Sequence, residues 1–503
     1  MIYNVLQFLE NSARSFPDKT ALADEGQSMT YGEYLDTAKR IGSAIIKKLS
    51  GRRNSPVVVL IDRNIKSICT FMGVVFSGNF YVPVDPSMPE ERKNRMFSTL
   101  EPALVIDARD REGGREGALL FEELKDTEPD SGVLLHVRRQ AVDTDPLYAI
   151  FTSGSTGIPK GVLISHRSVI DMTGAFEEAF HFSETSVFGN QAPFDFDVSV
   201  KDIYNAMKAG ATVEVLRPKL FRMPGLLVNH LRERKINTLI WAVSALRIVS
   251  DFKTFDGVDL PQLSYVMFSG EVMPVKALNY WMAHIPEATY VNLYGPTEIT
   301  CNCSYYVIQK SFEPGDILPV GRPFVNSRIF LRDERGQKIN RTGQVGEICI
   351  SGSCLALGYW NDRERTDEVF LEDPDLPAYP CRFYASGDMG YYDDNHDLVF
   401  TSRIDDQIKH MGHRIELGEV EAALNSISFL TVSCCVYDHK KEKIVCFYQA
   451  EEECRRKIVM ELSRKIPKYM WPNKYVFLET MPLNRNGKID RASLKKDLQE
   501  GKI

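Results

Sequence analysis

The sequence contains no run of about eighteen apolar residues, and its start, Met1-Ile-Tyr-Asn-Val-Leu-Gln-Phe-Leu-Glu10, has neither a basic leader nor a long apolar segment. No membrane insertion is therefore expected, and a cytoplasmic location is the default expectation. Basic charge is also short: 61 Lys and Arg against 68 Asp and Glu give a net charge of −7, with no basic stripe, which argues against nucleic acid as a partner. The ten cysteines, at 69, 301, 303, 349, 354, 381, 434, 435, 446 and 454, include no CxxC pair and have no histidine cluster of zinc-site spacing. Buried reduced thiols are their expected state, Cys301 being singled out below. Neither GxxxxGK[ST] nor GxGxxG occurs at the glycine-rich loop described next, and no internal repeat or low-complexity tract interrupts the chain.

What is present exceeds one core. With 503 residues, 44% of them hydrophobic, the chain needs at least two domains. Short buried-strand patterns such as Pro56-Val-Val-Val-Leu-Ile61 and Leu104-Val-Ile-Asp107 lie between helical spacings such as Val5, Leu6, Phe8, Leu9, Ala13 and Phe16, the alternation of an α/β protein. The last hundred residues carry their own pattern: a helix around Glu419–Leu424, strands over Thr431–Tyr437 and Ile444–Tyr448, and a helix over 454–466. The expected division is a large α/β domain over 1–403, with mixed sheets and helices, and a small mobile C-terminal α+β domain over 404–503, hinged near Asp405.

The loop Phe151-Thr-Ser-Gly-Ser-Thr-Gly-Ile-Pro-Lys-Gly-Val162 is dense in hydroxyls and glycines and ends in a lysine. Backbone N–H groups at Gly154 and Gly157 can approach phosphate oxygens, Thr152, Ser153, Ser155 and Thr156 add hydroxyl donors, and Lys160 adds positive charge. A strand pattern precedes the loop and a helix start follows it at Ser165. Four more segments have unusual local chemistry: Asn292-Leu-Tyr-Gly-Pro-Thr-Glu298, Tyr384-Ala-Ser-Gly-Asp388, Arg403-Ile-Asp-Asp-Gln-Ile-Lys-His-Met-Gly412 and Asn484-Arg-Asn-Gly-Lys-Ile-Asp490.

These five motifs, in this order, resemble the adenylate-forming superfamily, and within it amino-acid adenylation domains and D-alanine–carrier protein ligases, over nearly the whole chain. The resemblance implies ATP and Mg²⁺ as cofactors. It implies ATP binding by the 152–160 loop, by Asn292, Leu293, Tyr294, Gly295, Pro296 and Thr297, and by Asp388, Phe400, Arg403 and Lys488. Tyr294 offers a face for adenine, Asp388 can accept from ribose hydroxyls beside Arg403, and Glu298 is the carboxylate for Mg²⁺. Lys488 matches the family's catalytic lysine, an ammonium between two anionic reactants that stabilises attack of a carboxylate on the α-phosphorus. The thioester-forming loop matches His410-Met-Gly-His-Arg414, in which Gly412 lies, Lys409 before it is a further catalytic candidate, and Asp405 matches the hinge that lets one site serve two half-reactions. Ser386 and His413 depart from the family's usual threonine and tyrosine.

In the segment Phe194-Asp-Phe-Asp-Val-Ser-Val-Lys-Asp-Ile203, Asp197 aligns with the aspartate that binds a substrate α-ammonium. An organic acid without an amine would leave this carboxylate unpaired, so an amino acid is expected. The bland alternative is an N-cap for a helix starting at Val198. By the same resemblance the pocket would be lined by Val198, Lys201, Ile240, Met267, Ser269, Leu293, Cys301 and Asn302. If Lys201 points inward it calls for an acidic or polar side chain, with Asn302 as a second donor; if it snorkels outward its stem narrows the pocket for a small one. Both readings stay open, as does chirality.

The function implied is activation of an amino acid as its adenylate, followed by transfer to the phosphopantetheine thiol of a carrier protein. The alternatives are a ligase specific for D-alanine and an acyl- or aryl-CoA synthetase using free coenzyme A. The chain ends 15 residues after Lys488 without a carrier domain, and no HHxxxDG segment precedes the ligase motifs, so the expected partner is a separate carrier protein loaded in trans.

Overall fold

The computed structural model describes residues 2–110, 117–154, 158–258, 260, 262–313, 315–339, 341–483 and 489–500. Its residues form two compact units. One comprises Met1–Pro86, Glu101–Ile150 and Val162–Ile404; the other comprises Ser87–Leu100, Phe151–Gly161 and Asp405–Ile503.

In the larger unit a nine-stranded sheet runs, edge to edge, through Arg322–Pro323, Ser304–Ile308, Thr289–Tyr294, Tyr265–Ser269, Thr238–Ala242, Val187–Asn190, Thr212–Val215, Thr20–Ala23 and Ser28–Thr30. The six strands from Thr289–Tyr294 to Thr20–Ala23 are parallel. Parallel strands must be covered on both faces, and the alternation of side chains shows how. Leu239, Trp241, Val266 and Phe268 join one core cluster with residues of the helices Pro224–Glu233, Val243–Asp251 and Val275–His284. Ile240, Met267, Val291 and Leu293, on the opposite face, join a larger cluster with the helices Ile65–Phe76, His166–Phe180 and Val198–Ala209.

That larger cluster also takes in Val57, Val59, Tyr148 and Ile164 of a seven-stranded sheet, ordered Gly358–Tyr359, Lys160–Ser165, Pro146–Thr152, Phe80–Val84, Pro56–Leu60, Leu104–Asp107, Leu119–Leu120. A third, antiparallel sheet is built on Ser327–Arg332, Gly346–Gly352 and Arg382–Tyr392, with Leu398–Arg403 paired to the last of these. The helix His166–Phe180 begins where the sequence indicates, its first turn capped by the Ser165 hydroxyl, which accepts from the Ser168 N–H at 3.2 Å.

The smaller unit has a hairpin, Gln407–His410 with His413–Glu416, and a three-stranded sheet of Leu430–Asp438, Lys443–Ala450 and Lys474–Phe477. The helices Leu417–Asn425, Arg455–Lys465 and Arg491–Gln499 complete it. The helix Glu90–Leu100 belongs to this unit, and its Arg92 forms a buried ion pair with Glu419. All ten cysteines are free thiols, nine of them buried and Cys381 half-buried. No helix among the described residues is long and apolar enough to cross a membrane.

Candidate active site

In the larger unit several of the residues singled out in the sequence lie at or near the ends of the parallel strands. Ligands of such sheets bind outside the carboxyl ends of the strands, and Ser269 and Tyr294 are the last residues of two of them. Asp388 and Arg403 face each other across the antiparallel pair Arg382–Tyr392 and Leu398–Arg403. Their side chains form an ion pair, and the Tyr294 hydroxyl donates to the other Asp388 oxygen at 2.6 Å. The Asp388 N–H donates to the Ser386 hydroxyl at 3.0 Å, and Ser386 donates in turn to the Ile348 carbonyl at 2.6 Å. Serine at this position therefore keeps the hydroxyl link that fixes the turn. Asp388 is buried, with both oxygens engaged, and each oxygen retains a second lone pair for an incoming hydroxyl. Phe400 lies near the Tyr294 ring, with centroids 6.4 Å apart.

Glu298 is fully buried in the short turn Thr297–Ile299 and accepts from the Tyr359 hydroxyl at 2.8 Å. Nothing in the spacing around Tyr359 marked it as this partner. Among the described residues no cluster of three or more His, Cys, Asp or Glu side chains is arranged to hold a metal ion. A cation carried in with phosphates asks only one or two carboxylates of the protein, which Glu298 fits.

The segment from Gly295 to Cys303 is shaped by its backbone. A Cβ on Gly295 would lie 2.6 Å from Asn302 Cα and 2.7 Å from the Cys301 oxygen, so only glycine permits this approach. Thr300 and Cys301 have φ of 59° and 74°, unusual for side chains other than glycine and strained for a β-branched one. The Thr300 hydroxyl, donating to the Cys354 carbonyl at 2.8 Å, helps hold the turn. Pro296 and Thr297 continue it, and Asn292, one strand residue before Leu293, donates its amide to the Pro319 carbonyl at 2.8 Å.

The turn delivers Cys301 and Asn302 to the start of the helix Val198–Ala209. The Cys301 thiol donates to the Asp197 carbonyl at 3.1 Å, and burial pushes its pKa well up, so it is an inert thiol. Asp197 precedes the helix without a side-chain capping bond, so the N-cap alternative fails. Val198 is half-buried, while Met267, Ile240 and Leu293 are buried apolar strand residues. Lys201 is 1% exposed and does not snorkel: its ammonium donates to the Ser269 hydroxyl at 3.1 Å and to Asn302 Oδ1 at 2.8 Å. The outward reading of Lys201 is therefore corrected, because the stem and the head are both enclosed between helix and sheet.

In the smaller unit, the Ser153 hydroxyl donates to the Arg414 carbonyl at 2.9 Å, and Thr152 Oγ1 is buried with no hydrogen-bond partner. Gly154 is buried and Lys160 half-buried. Ser155, Thr156, Gly157 and Lys488 lie outside the described residues. Lys409 and Arg414 are paired on the hairpin, whose two-residue turn, Met411 and Gly412, has φ of 53° and 82°. Positive φ at both positions matches the right-handed twist of a hairpin. His413 stacks on Tyr469, with ring centroids 3.8 Å apart, and burial, with the charge of His410 behind it, lowers its pKa to about 4. It is a neutral, packed ring at physiological pH. The Asp405 carboxylate accepts from the Gln407 N–H at 3.2 Å.

A separate cavity of about 190 Å³, lined by Leu6, Val75, Phe76, Leu134, Val137 and His166 among others, shares no residue with either group.

Fold and site together define an AMP-forming, ATP-dependent ligase. The family model for AMP-binding enzymes matches residues 9–360 and that for the AMP-binding enzyme C-terminal domain matches 419–488, and the chain belongs to this family. Among its relatives, D-alanine–D-alanyl carrier protein ligase of Bacillus licheniformis is 30% identical over 512 residues, covering 98% of this chain and 99% of the relative. Bacitracin synthase 1 of the same species is 30% identical over 497 residues, which are 97% of this chain and only 9% of the synthase. The crystal structure of the Vibrio cholerae adenylation domain AlmE in complex with glycyl-adenosine-5'-phosphate shares the fold, with a TM-score of 0.83 at 20% identity over 99% of this chain and 98% of that one.

Proposed function

We propose that this protein activates an amino acid as its aminoacyl-adenylate and transfers it to the phosphopantetheine thiol of a carrier protein. The observation that carries the reading is the Asp388 cluster, a buried carboxylate held by Tyr294 and Arg403 at the end of a parallel sheet. Its spare lone pairs suit ribose hydroxyls, and the ring of Tyr294 suits adenine. Asp197, at the mouth of the helix, offers its carboxylate to the α-ammonium. Mg²⁺ bound with the nucleotide, with Glu298 as its protein ligand, would neutralise the phosphate charge as pyrophosphate leaves.

In the first half-reaction a substrate carboxylate oxygen bonds to the α-phosphorus and the bond to pyrophosphate breaks. Both reactants are anionic, so Lys488 supplies the ammonium between them. In the second, the thiol, having lost its proton, attacks the acyl carbon and AMP leaves. Gly412, lacking a side chain, would let the phosphopantetheine arm pass the hairpin, with Asp405 as the hinge between two arrangements and Lys409 beside the arm. A carrier protein loaded in trans is supported by the D-alanyl carrier protein ligase relatives, which the chain matches over nearly their whole length.

The test is ATP–pyrophosphate exchange across D- and L-amino acids, with organic acids plus coenzyme A as controls. Amino-acid-dependent exchange is expected, and exchange only with organic acids would overturn the reading. Lys488→Ala is expected to abolish exchange while leaving transfer from supplied adenylate to a carrier protein largely intact; equal loss of both would remove Lys488 from the first step.

A further inference from the structure

We infer that the amino acid this enzyme selects has a carboxylate side chain, recognised by Lys201, Asn302 and Ser269; the inference rests on the adenylation reading above.

Asp197 and Lys201 stand one helical turn apart, four residues along, and therefore on the same face of the helix Val198–Ala209. That face meets the row of the sheet that carries Ile240, Met267 and Ser269, because side chains two apart on a strand share a face. The substrate's α-ammonium at Asp197 would thus direct its side chain along the helix toward Lys201.

The polar groups that meet it there are donors. The Lys201 ammonium carries hydrogens only. Asn302 presents its oxygen to Lys201, which fixes the orientation of the amide and turns its NH₂ group away. That NH₂ is buried, in a residue only 4% exposed, with no hydrogen-bond partner. A buried donor without an acceptor is unfavourable, so the pocket is complete only with an acceptor in place. The nearby Asp202 carboxylate accepts from Asn190 Nδ2 at 2.8 Å through Oδ2, and its Oδ1 makes no hydrogen bond.

The surrounding walls are Met267, Ile240 and the inert thiol of Cys301. A cationic donor and a buried amide donor that lacks an acceptor, within apolar walls, fit a carboxylate. A methyl group, as in alanine, would leave the Asn302 amide unsatisfied.

The experiment measures pyrophosphate exchange by the full chain with aspartate, glutamate, asparagine, glutamine and alanine in both chiralities, for the parent and for Lys201→Met and Asn302→Ala. Methionine keeps the length of the lysine stem, and unfolding midpoints in the presence and absence of ATP verify that each variant folds and binds nucleotide. The expected result is highest kcat/KM with aspartate or glutamate, falling about a hundredfold in Lys201→Met, since truncating one partner of a buried charge pair acts at that scale. Lys201→Met would at the same time gain on the neutral amide or apolar substrates. Preference of the parent for alanine, glutamine or asparagine, or indifference of acidic-substrate exchange to Lys201→Met, overturns the inference and leaves amino-acid activation standing. Silence with every amino acid overturns amino-acid activation and, with it, this inference.

Discussion

Two carboxylates of the larger unit are equally buried and differently supported. Asp388 has both oxygens hydrogen-bonded, one to the Arg403 guanidinium and one to the Tyr294 hydroxyl. Asp202, fully buried, has one oxygen bonded to the Asn190 amide and the other, Oδ1, without a partner. Its burial pushes its pKa up to about 7, against the opposing effects of the Asn190 bond and of the Lys201 and Arg63 charges. What separates them is the number of donors: Asp388 has one on each oxygen and Asp202 has one on a single oxygen. A group of the first kind can serve as a fixed anchor for a ligand. One of the second kind is a structural residue whose charge state follows pH.

The largest break in this contrast is Asp388→Ala. It removes the anchor and leaves the half-buried Arg403 without this carboxylate, so adenylate formation should fall by about a thousandfold or more, with about 3 kcal/mol lost from stability. Pyrophosphate exchange and urea unfolding read the two effects, and an active, equally stable variant would deny Asp388 its role.

Asp202 offers a pH signature instead. Its pKa is raised in the folded state above the ordinary carboxylate value, so the folded protein holds the proton more tightly than the unfolded chain. Stability from this group is full below about pH 4 and is lost as pH rises through about 7. Asp202→Asn, neutral at every pH, should flatten this part of the unfolding profile by a few kcal/mol across the window. An unchanged profile would show that other groups set it.

The smallest effect sharpens the comparison by moving Asp388 toward the condition of Asp202. Tyr294→Phe removes one donor while keeping the ring, and should reduce exchange about tenfold, the scale of one hydrogen bond to a charged group. A rise in KM for ATP with kcat little changed is the pattern expected if the bond positions the ribose-binding carboxylate, and kinetics at varied ATP distinguish it.

Much of this was readable beforehand. The apolar runs at 56–61 and 104–107 gave two strands of the seven-stranded sheet, Ser165 gave the start of a helix, and Tyr294, Glu298, Asp388 and Arg403 stand in short motifs whose chemistry is local. The partners of those residues were not readable. Tyr359 comes to Glu298 across 61 positions and Ser269 to Lys201 across 68, and no periodicity encodes contacts made by tertiary packing. Lys201 illustrates the limit most clearly: in the sequence it fits equally well as a snorkelling surface lysine or a buried donor, and only the enclosing helix and sheet decide. The inclusion of residues 87–100 and 151–161 in the smaller unit was invisible for the same reason.

The contact of Gly295 with the main chain at Asn302 has a consequence for engineering. The segment shared by the nucleotide motif and the segment that individualises the pocket lie against each other with no room between them. Exchanging side chains at 302, 269 or 201 leaves that seam untouched, so such exchanges are the natural route to new selectivity. Inserting or deleting a residue between 295 and 302, or grafting a loop of different length there, would pull on both sides of the seam, and altered selectivity would arrive together with a damaged nucleotide site.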